Sequence, residues 1–202
     1  AVTSVKRFDL SIPTAVILYD LIPLISPDEH YRTNPLHISH YQRKIEFLKQ
    51  CDLLLAISAS SKKEAIDALG FCSESVVNIS SGCNPQFRPM PMSDTERTAF
   101  FANLGIKKPF LMYCGGAEER KNLPHLIEAF ALLPDHMRIN YQLVMSGMMP
   151  AEQVAKFRAT VKRLGLSTDD VIFTGYLSDL ELMRLYTACK LFVFPSIHEG
   201  FG

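Results

Sequence analysis

The 202-residue chain has no surplus of charge of either sign. Its 21 lysines and arginines balance 21 aspartates and glutamates, nine of each sign in residues 1–92 and twelve of each in 93–202. That balance implies neither a nucleic-acid-binding face nor an acidic tail. There is no long apolar run. The longest, around residues 15–25, is broken by Asp20 and Pro23 and falls short of the ~20 residues that a membrane span needs. No charged-then-apolar-then-small pattern follows Ala1, so no secretory leader is expected. The five cysteines (51, 72, 83, 114 and 189) form no C-x-x-C pair. An odd, scattered set reads as reduced thiols and points to the cytoplasm. No G-x-G-x-x-G follows a strand-like run, and no G-K-[ST] loop occurs, so the nicotinamide fingerprint and the P-loop are both missing.

What is present is a large apolar fraction, 48%, enough for a sizeable core. Short apolar runs alternate with helical periodicity. Strands are expected at 15–19, 52–57, 76–79, 110–113, 141–145, 171–174 and 191–194. Between them lie helical faces such as Ile38, Tyr41, Ile45 and Leu48, or Leu123, Leu126, Ile127 and Phe130. Ser61-x-x-Glu64 and Ser178-x-x-Glu181 read as capping boxes, and Asn122 as a helix cap. Alternating strands and helices give an α/β class with parallel sheets. Pro85, Pro89 and Pro91 interrupt the rhythm, and a short helical stretch (95–104) ends at Gly105, so two βα series are expected, 1–92 and 106–202, joined by a linker over 93–105.

Ligands in such sheets bind beyond the carboxyl ends of strands, so the chemistry is sought there. Gly115 and Gly116 permit a tight turn, Arg120 and Lys121 bring two positive charges, and a helix N-terminus follows. Together they suit a diphosphate. On the local pattern alone, a solvated Arg-Lys pair in a surface loop is the simpler reading. After the last strand come Glu199, whose carboxylate can accept two sugar hydroxyls, and Gly200 to Gly202, which leave backbone N–H groups open. An ordinary polar loop is an equal reading of that segment. Tyr176 and Leu177 could stack on and read a base, though an aromatic there more often packs on its neighbours. His37-x-x-His40 lacks a third ligand and makes a poor metal site. Cys114 reads as a small buried residue, and Asp28-Glu29-His30 as a solvated loop.

Taken in order, these words resemble one family, the retaining glycosyltransferases of group 1 (family 4). They are Asp20-Leu-Ile-Pro-Leu24, Ala56-Ile-Ser58 with Ser61-x-x-Glu64, Gly82-Cys-Asn-Pro-Gln-Phe87, Arg120-Lys-Asn-Leu123 with Leu126-Ile-Glu-Ala-Phe130, Phe173-Thr-Gly-Tyr-Leu-Ser-Asp179, and Leu191-Phe-Val-Phe-Pro-Ser196 into Glu199-Gly-Phe-Gly202. The resemblance covers nearly the whole chain and is strongest to members that transfer mannose or similar sugars into cell-surface polysaccharide. It implies the GT-B fold of two Rossmann-like domains, an acceptor-binding one and a nucleotide-sugar-binding one, both incomplete here. It implies that Arg120 and Lys121 hold the diphosphate and Glu199 contacts the donor sugar. It also implies that Gly115, Gly116, Gly200, Phe201 and Gly202 line the donor, and that Tyr176 and Leu177 touch the base. No metal or other cofactor is implied. The donor is a nucleotide-diphosphate sugar, GDP-mannose by first guess, and the acceptor a glycan or lipid-linked glycan. Nucleic acid is not a partner. The implied location is the cytoplasm, with the inner face of the membrane as an alternative. Three positions depart from the family: Gly115 where many relatives have Arg, Tyr19 where His is frequent, and Asn84 where Asp is usual. The second glutamate of the family's Glu-x7-Glu motif would fall past Gly202, so a fragment without activity by itself is expected. The contrasting expectation is a non-catalytic piece that binds nucleotide or a partner protein.

Overall fold

The computed structural model describes residues 12–27 and 35–201. The chain divides into two compact units, Ala1–Cys83 together with His198–Gly202, and Asn84–Ile197.

In the first unit, β1 (Ala15–Leu18), β2 (Leu53–Ala56) and β3 (Val76–Asn78) form a parallel sheet in that order. Val16 pairs in register with Leu54, and Leu54 with Val76. Successive strand residues point to opposite faces. Val16, Leu18, Leu54, Ala56 and Val76 therefore share one buried face, while Ile17 and Val77 on the other are 51% and 44% exposed. Among the described residues, three helices accompany the sheet: α1 (Ile22–Ile25), α2 (Pro35–Leu48) and α3 (Ala59–Leu69). Ile45 and Leu48 of α2 and Ala65 of α3 close the core, each large side chain contributing roughly 1.5–3 kcal/mol by leaving water.

The start of α3 corrects one sequence expectation. The cap is Ser58, whose side chain accepts from the Ser61 amide at 2.9 Å; Ser61-x-x-Glu64 is not a capping box. Ser58 takes an extended backbone conformation two residues after β2 ends, so the helix begins early. Ser61 and Glu64 then lie inside the first turns, both buried.

The second unit opens with α4 (Asp94–Leu104), capped by Ser93 and Glu96 in a full capping box and ended by Gly105 in the left-handed conformation. Residues 93–105, expected as a linker, thus build a core element. Phe100 packs with Phe110, Met112, Val144 and Leu185, and the Phe101 ring meets Phe110 edge-on at 5.7 Å. The prolines lie before the helix, and the stretch from 94 to 104 contains none. The division between units falls at Cys83–Asn84, not after residue 92.

The strands β4 (Phe110–Cys114), β5 (Gln142–Ser146), β6 (Val171–Gly175) and β7 (Leu191–Phe192) form a second parallel sheet ordered β6-β5-β4-β7. On one face, Tyr113, Leu143, Met145 and Val171 pack against α5 (Leu123–Ala131) and α7 (Ala151–Arg163). On the other, Phe110, Met112 and Val144 pack against α4 and α8 (Asp179–Ala188). A short α6 (Asp135–Arg138) precedes β5. The Ser178 and Glu181 capping box at α8 is present as expected. This α/β architecture with parallel sheets agrees with the class read from the sequence.

One glycine holds the strand ends of this sheet together. Gly147, just after β5, has a φ of 129°, and a Cβ there would collide with the carbonyl of Gly115. Gly147→Ala is expected to lower stability by about 2–3 kcal/mol, through a strained backbone and a forced shift of the β4 end. A urea melt checks this, and an unchanged midpoint would refute the tight contact.

Candidate functional site

The order β6-β5-β4-β7 places β5 and β6 on one side of β4 and β7 on the other. The strand order therefore reverses between β4 and β7, and open α/β sheets take ligands beyond the carboxyl ends of strands at such a switch point. The β4 loop contains Gly115, Gly116, Arg120 and Lys121. Tyr113, fully buried at the end of β4, donates its hydroxyl to the Gly116 carbonyl at 2.8 Å and pins the glycine turn. Gly115 N donates to Ser146 O and Gly147 N to Gly175 O, both at 3.0 Å, so the ends of β4, β5 and β6 form a continuous rim.

Arg120 and Lys121 sit in a 3-10 turn, Glu119–Lys121, immediately before α5. Asn122 follows with a φ of 59° at the helix N-cap position. Its side chain does not cap the helix, as the sequence suggested. It donates instead to the Pro195 carbonyl at 3.2 Å, while Ile197 N donates to Arg120 O at 2.8 Å. These two bonds tie the basic turn to the segment after β7. The Lys121 ammonium lies 5.8 Å from the centre of the Phe194 ring, and the Ser196 hydroxyl is buried there without a hydrogen-bond partner among the described residues. Two cations and a helix N-terminus are thus gathered at the switch point of the sheet. That suits an anion, because fixed charges and N–H dipoles need not reorganise to meet it.

Tyr176 and Leu177 follow β6 on the same rim. Tyr176 is 75% exposed, and Leu177 packs on the cluster of Phe110 and Leu185, so its side chain belongs to the core. Glu199, Gly200 and Phe201 belong to the first unit. Gly202 lies outside the described residues, as do Asp28, Glu29 and His30. The segment 198–200 is held at the carboxyl ends of β1 and β2. Ser58 donates its hydroxyl to Gly200 O at 2.5 Å. The Ser61 hydroxyl lies 2.6 Å from Tyr19 O and 3.1 Å from Gly200 O. The His198 ring, through Nε2, meets a carboxylate oxygen of Glu64 at 2.5 Å. Asp20 accepts from Ile22 N at 3.1 Å and so opens α1.

Glu64, Ser61 and His198 were not singled out from the sequence as site residues. The usable signal was the second serine: with Ser58 available as the cap, Ser61 and Glu64 are free for other work. Burial pushes the Cys114 thiol and the Tyr186 hydroxyl up from their ordinary pKa values, which disfavours the Cys114 thiolate. Among the described residues, no group of three or more His, Cys, Asp or Glu could hold a metal ion, and no helix is long and apolar enough to cross a membrane.

The family of glycosyl transferases group 1 matches residues 95–202, more than half of the chain. The chain belongs to that family. Similar proteins include the serotype-specific mannosyltransferase WbdA of Escherichia coli, 35% identical over 189 residues. That match covers 94% of this chain and 23% of WbdA. The O-antigen chain mannosyltransferase B of Escherichia coli is 29% identical over 78% of this chain and 40% of its own length. The chain therefore spans 23% to 40% of the length of these relatives. Among solved structures, Anabaena HepE in complex with UDP superposes with a TM-score of 0.70 at 20% identity, over 95% of this chain and 49% of HepE. WaaG, a glycosyltransferase involved in lipopolysaccharide biosynthesis, gives 0.68 at 20% identity, over 94% and 52%. At such identities the likeness is one of fold, and the fold is GT-B.

Proposed function

We propose that the chain is part of a retaining glycosyltransferase that moves a hexose from a nucleotide-diphosphate sugar onto a glycan or lipid-linked glycan of the cell surface. The observation that carries this reading is the basic turn of Arg120 and Lys121 at the switch point of the second sheet, tied to the segment after β7. Membership of group 1 supports it, and the mannosyltransferase relatives favour mannose; GDP-mannose is the donor in this reading. In this reading Arg120 and Lys121 hold the diphosphate, and the tight Gly115–Gly116 turn lets the backbone pass close to the donor. Tyr176 lies on the base and Leu177 reads it through its backbone. Glu199 accepts hydroxyls of the donor sugar, and Gly200 to Gly202 present amides to it. Glycosyl transfer builds an oxocarbenium-like sugar while negative charge grows on the departing diphosphate. Two fixed cations neutralise that charge, so no metal is required. In this reading the transfer takes place in the cytoplasm, with the inner face of the membrane as the alternative location.

Titration calorimetry of the chain with GDP-, UDP- and ADP-sugars tests the donor site. One nucleotide is expected to bind clearly more tightly than the others, and Lys121→Ala to weaken it at least about tenfold, the ~1.4 kcal/mol of one charge-assisted contact. Absence of binding by all three would sink the reading.

A further inference from the structure

Glu64 is 9% exposed, and such a buried carboxylate is costly unless both oxygens are engaged. Here they are: one accepts from Leu21 N at 3.1 Å, the other meets His198 at 2.5 Å. Two residues on, the Gly200 carbonyl takes the Ser58 hydroxyl at 2.5 Å and lies 3.1 Å from the fully buried Ser61 hydroxyl. Gly200 is itself buried against the Tyr19 carbonyl and Asp20, with no room for a side chain. Both neighbours of Glu199 are therefore fastened by α3, while Glu199 is one bond from each. We infer that Glu64 is a positioning residue: through His198, and together with Ser58 and Ser61 on Gly200, it fixes the backbone that presents Glu199. This rests on the donor-sugar role proposed for Glu199, but the anchoring itself does not. A carboxylate on a segment free to swing would lose most of its advantage in orienting a sugar, since holding a group in place is what makes its contact productive.

Two measurements on the 202-residue chain test the inference. The first is amide hydrogen exchange of residues 198–201. Glu64→Ala and His198→Ala are each expected to speed it at least tenfold, and the double variant no more than either one. Unchanged exchange, or effects that multiply, would overturn the anchoring. A folded control is the exchange of β5, which should not move. The second is the ratio of the GDP to the GDP-mannose dissociation constant, which isolates contacts to the sugar. Glu64→Ala should bring this ratio to that of Glu199→Ala while GDP affinity stays within twofold, and Glu64→Asp should restore part of it. A ratio unchanged in Glu64→Ala would overturn the positioning role and leave the donor site standing. If the wild-type chain binds neither ligand, the donor reading fails, and the exchange measurement still decides whether Glu64 anchors the segment.

Discussion

Lys121→Ala is expected to lower kcat for hexose transfer about 100-fold in a transfer-competent protein carrying this chain, with a much smaller rise in KM for the donor. The physical ground is where the charge goes. In the bound donor the diphosphate charge is shared with the sugar–oxygen bond, and as that bond breaks it concentrates on the leaving oxygen. A cation already in place stabilises the later state more than the earlier one, and only that difference accelerates the step. Removing one preorganised donor of this kind costs roughly 2.7–4 kcal/mol of barrier, and the lower end is about 100-fold. Lys121 meets the requirement for preorganisation: its 3-10 turn is bonded to the β7 segment through Arg120 O and Asn122, and its ammonium lies close to the Phe194 ring. Lys121→Arg keeps the charge and should lose far less. Steady-state kinetics separate the outcomes, because a rise in KM with kcat intact would mean that Lys121 binds the ground state alone. Turnover of Lys121→Ala within a few-fold of wild type would remove the residue from the mechanism.

Gln142→Leu is expected to destabilise the second unit by about 3–5 kcal/mol. Gln142 is fully buried at the start of β5, and its side-chain amide is engaged at both ends. Its oxygen accepts from Lys107 N at 2.7 Å and Lys108 N at 2.8 Å. Its nitrogen donates to Asp169 O at 2.6 Å and Gly105 O at 3.3 Å. One side chain thus joins the end of α4, the entry to β4 and the entry to β6. Leucine fills nearly the same space, so little packing is lost, but four backbone groups lose their partner. Each buried group left unsatisfied costs roughly 1–3 kcal/mol, and water reaches some of these. Chemical denaturation should show the loss with little change in slope, and Gln142→Glu should be tolerated no better, since it places a charge in the same buried position. A shift below about 1 kcal/mol for Gln142→Leu would mean that the four loop groups find other partners.

The seven strands were legible because each is a short apolar run closed by a turn residue. The helices of the second unit were legible for the same local reason: Leu123, Leu126, Ile127 and Phe130 repeat at helical spacing and are all buried. Local signals also misled. Three prolines before Ser93 suggested a linker, yet the next eleven residues carry a capping box and place Phe100 in the core. Ser61 and Glu64 have the spacing of a cap, but Ser58 caps the helix first. Asn122 stands at a helix start, yet its side chain serves a carbonyl 73 residues away. In the last two cases a nearby competitor or a distant partner outweighed the local preference, as small propensity differences permit.

By itself, the sequence determined the order and type of the elements, the family, and the charge available to a diphosphate, because periodicity, turn residues and the Arg120-Lys121 pair are written within a few neighbouring positions. The tertiary structure alone decided that β7 crosses to the far side of β4, which puts the switch point beside the basic turn. It alone decided that Glu64 meets His198 across 134 residues and that Gly200 packs on Tyr19. Strand order and the pairing of buried polar groups depend on which surfaces the folded chain brings together, and no local pattern encodes a contact between residues so far apart.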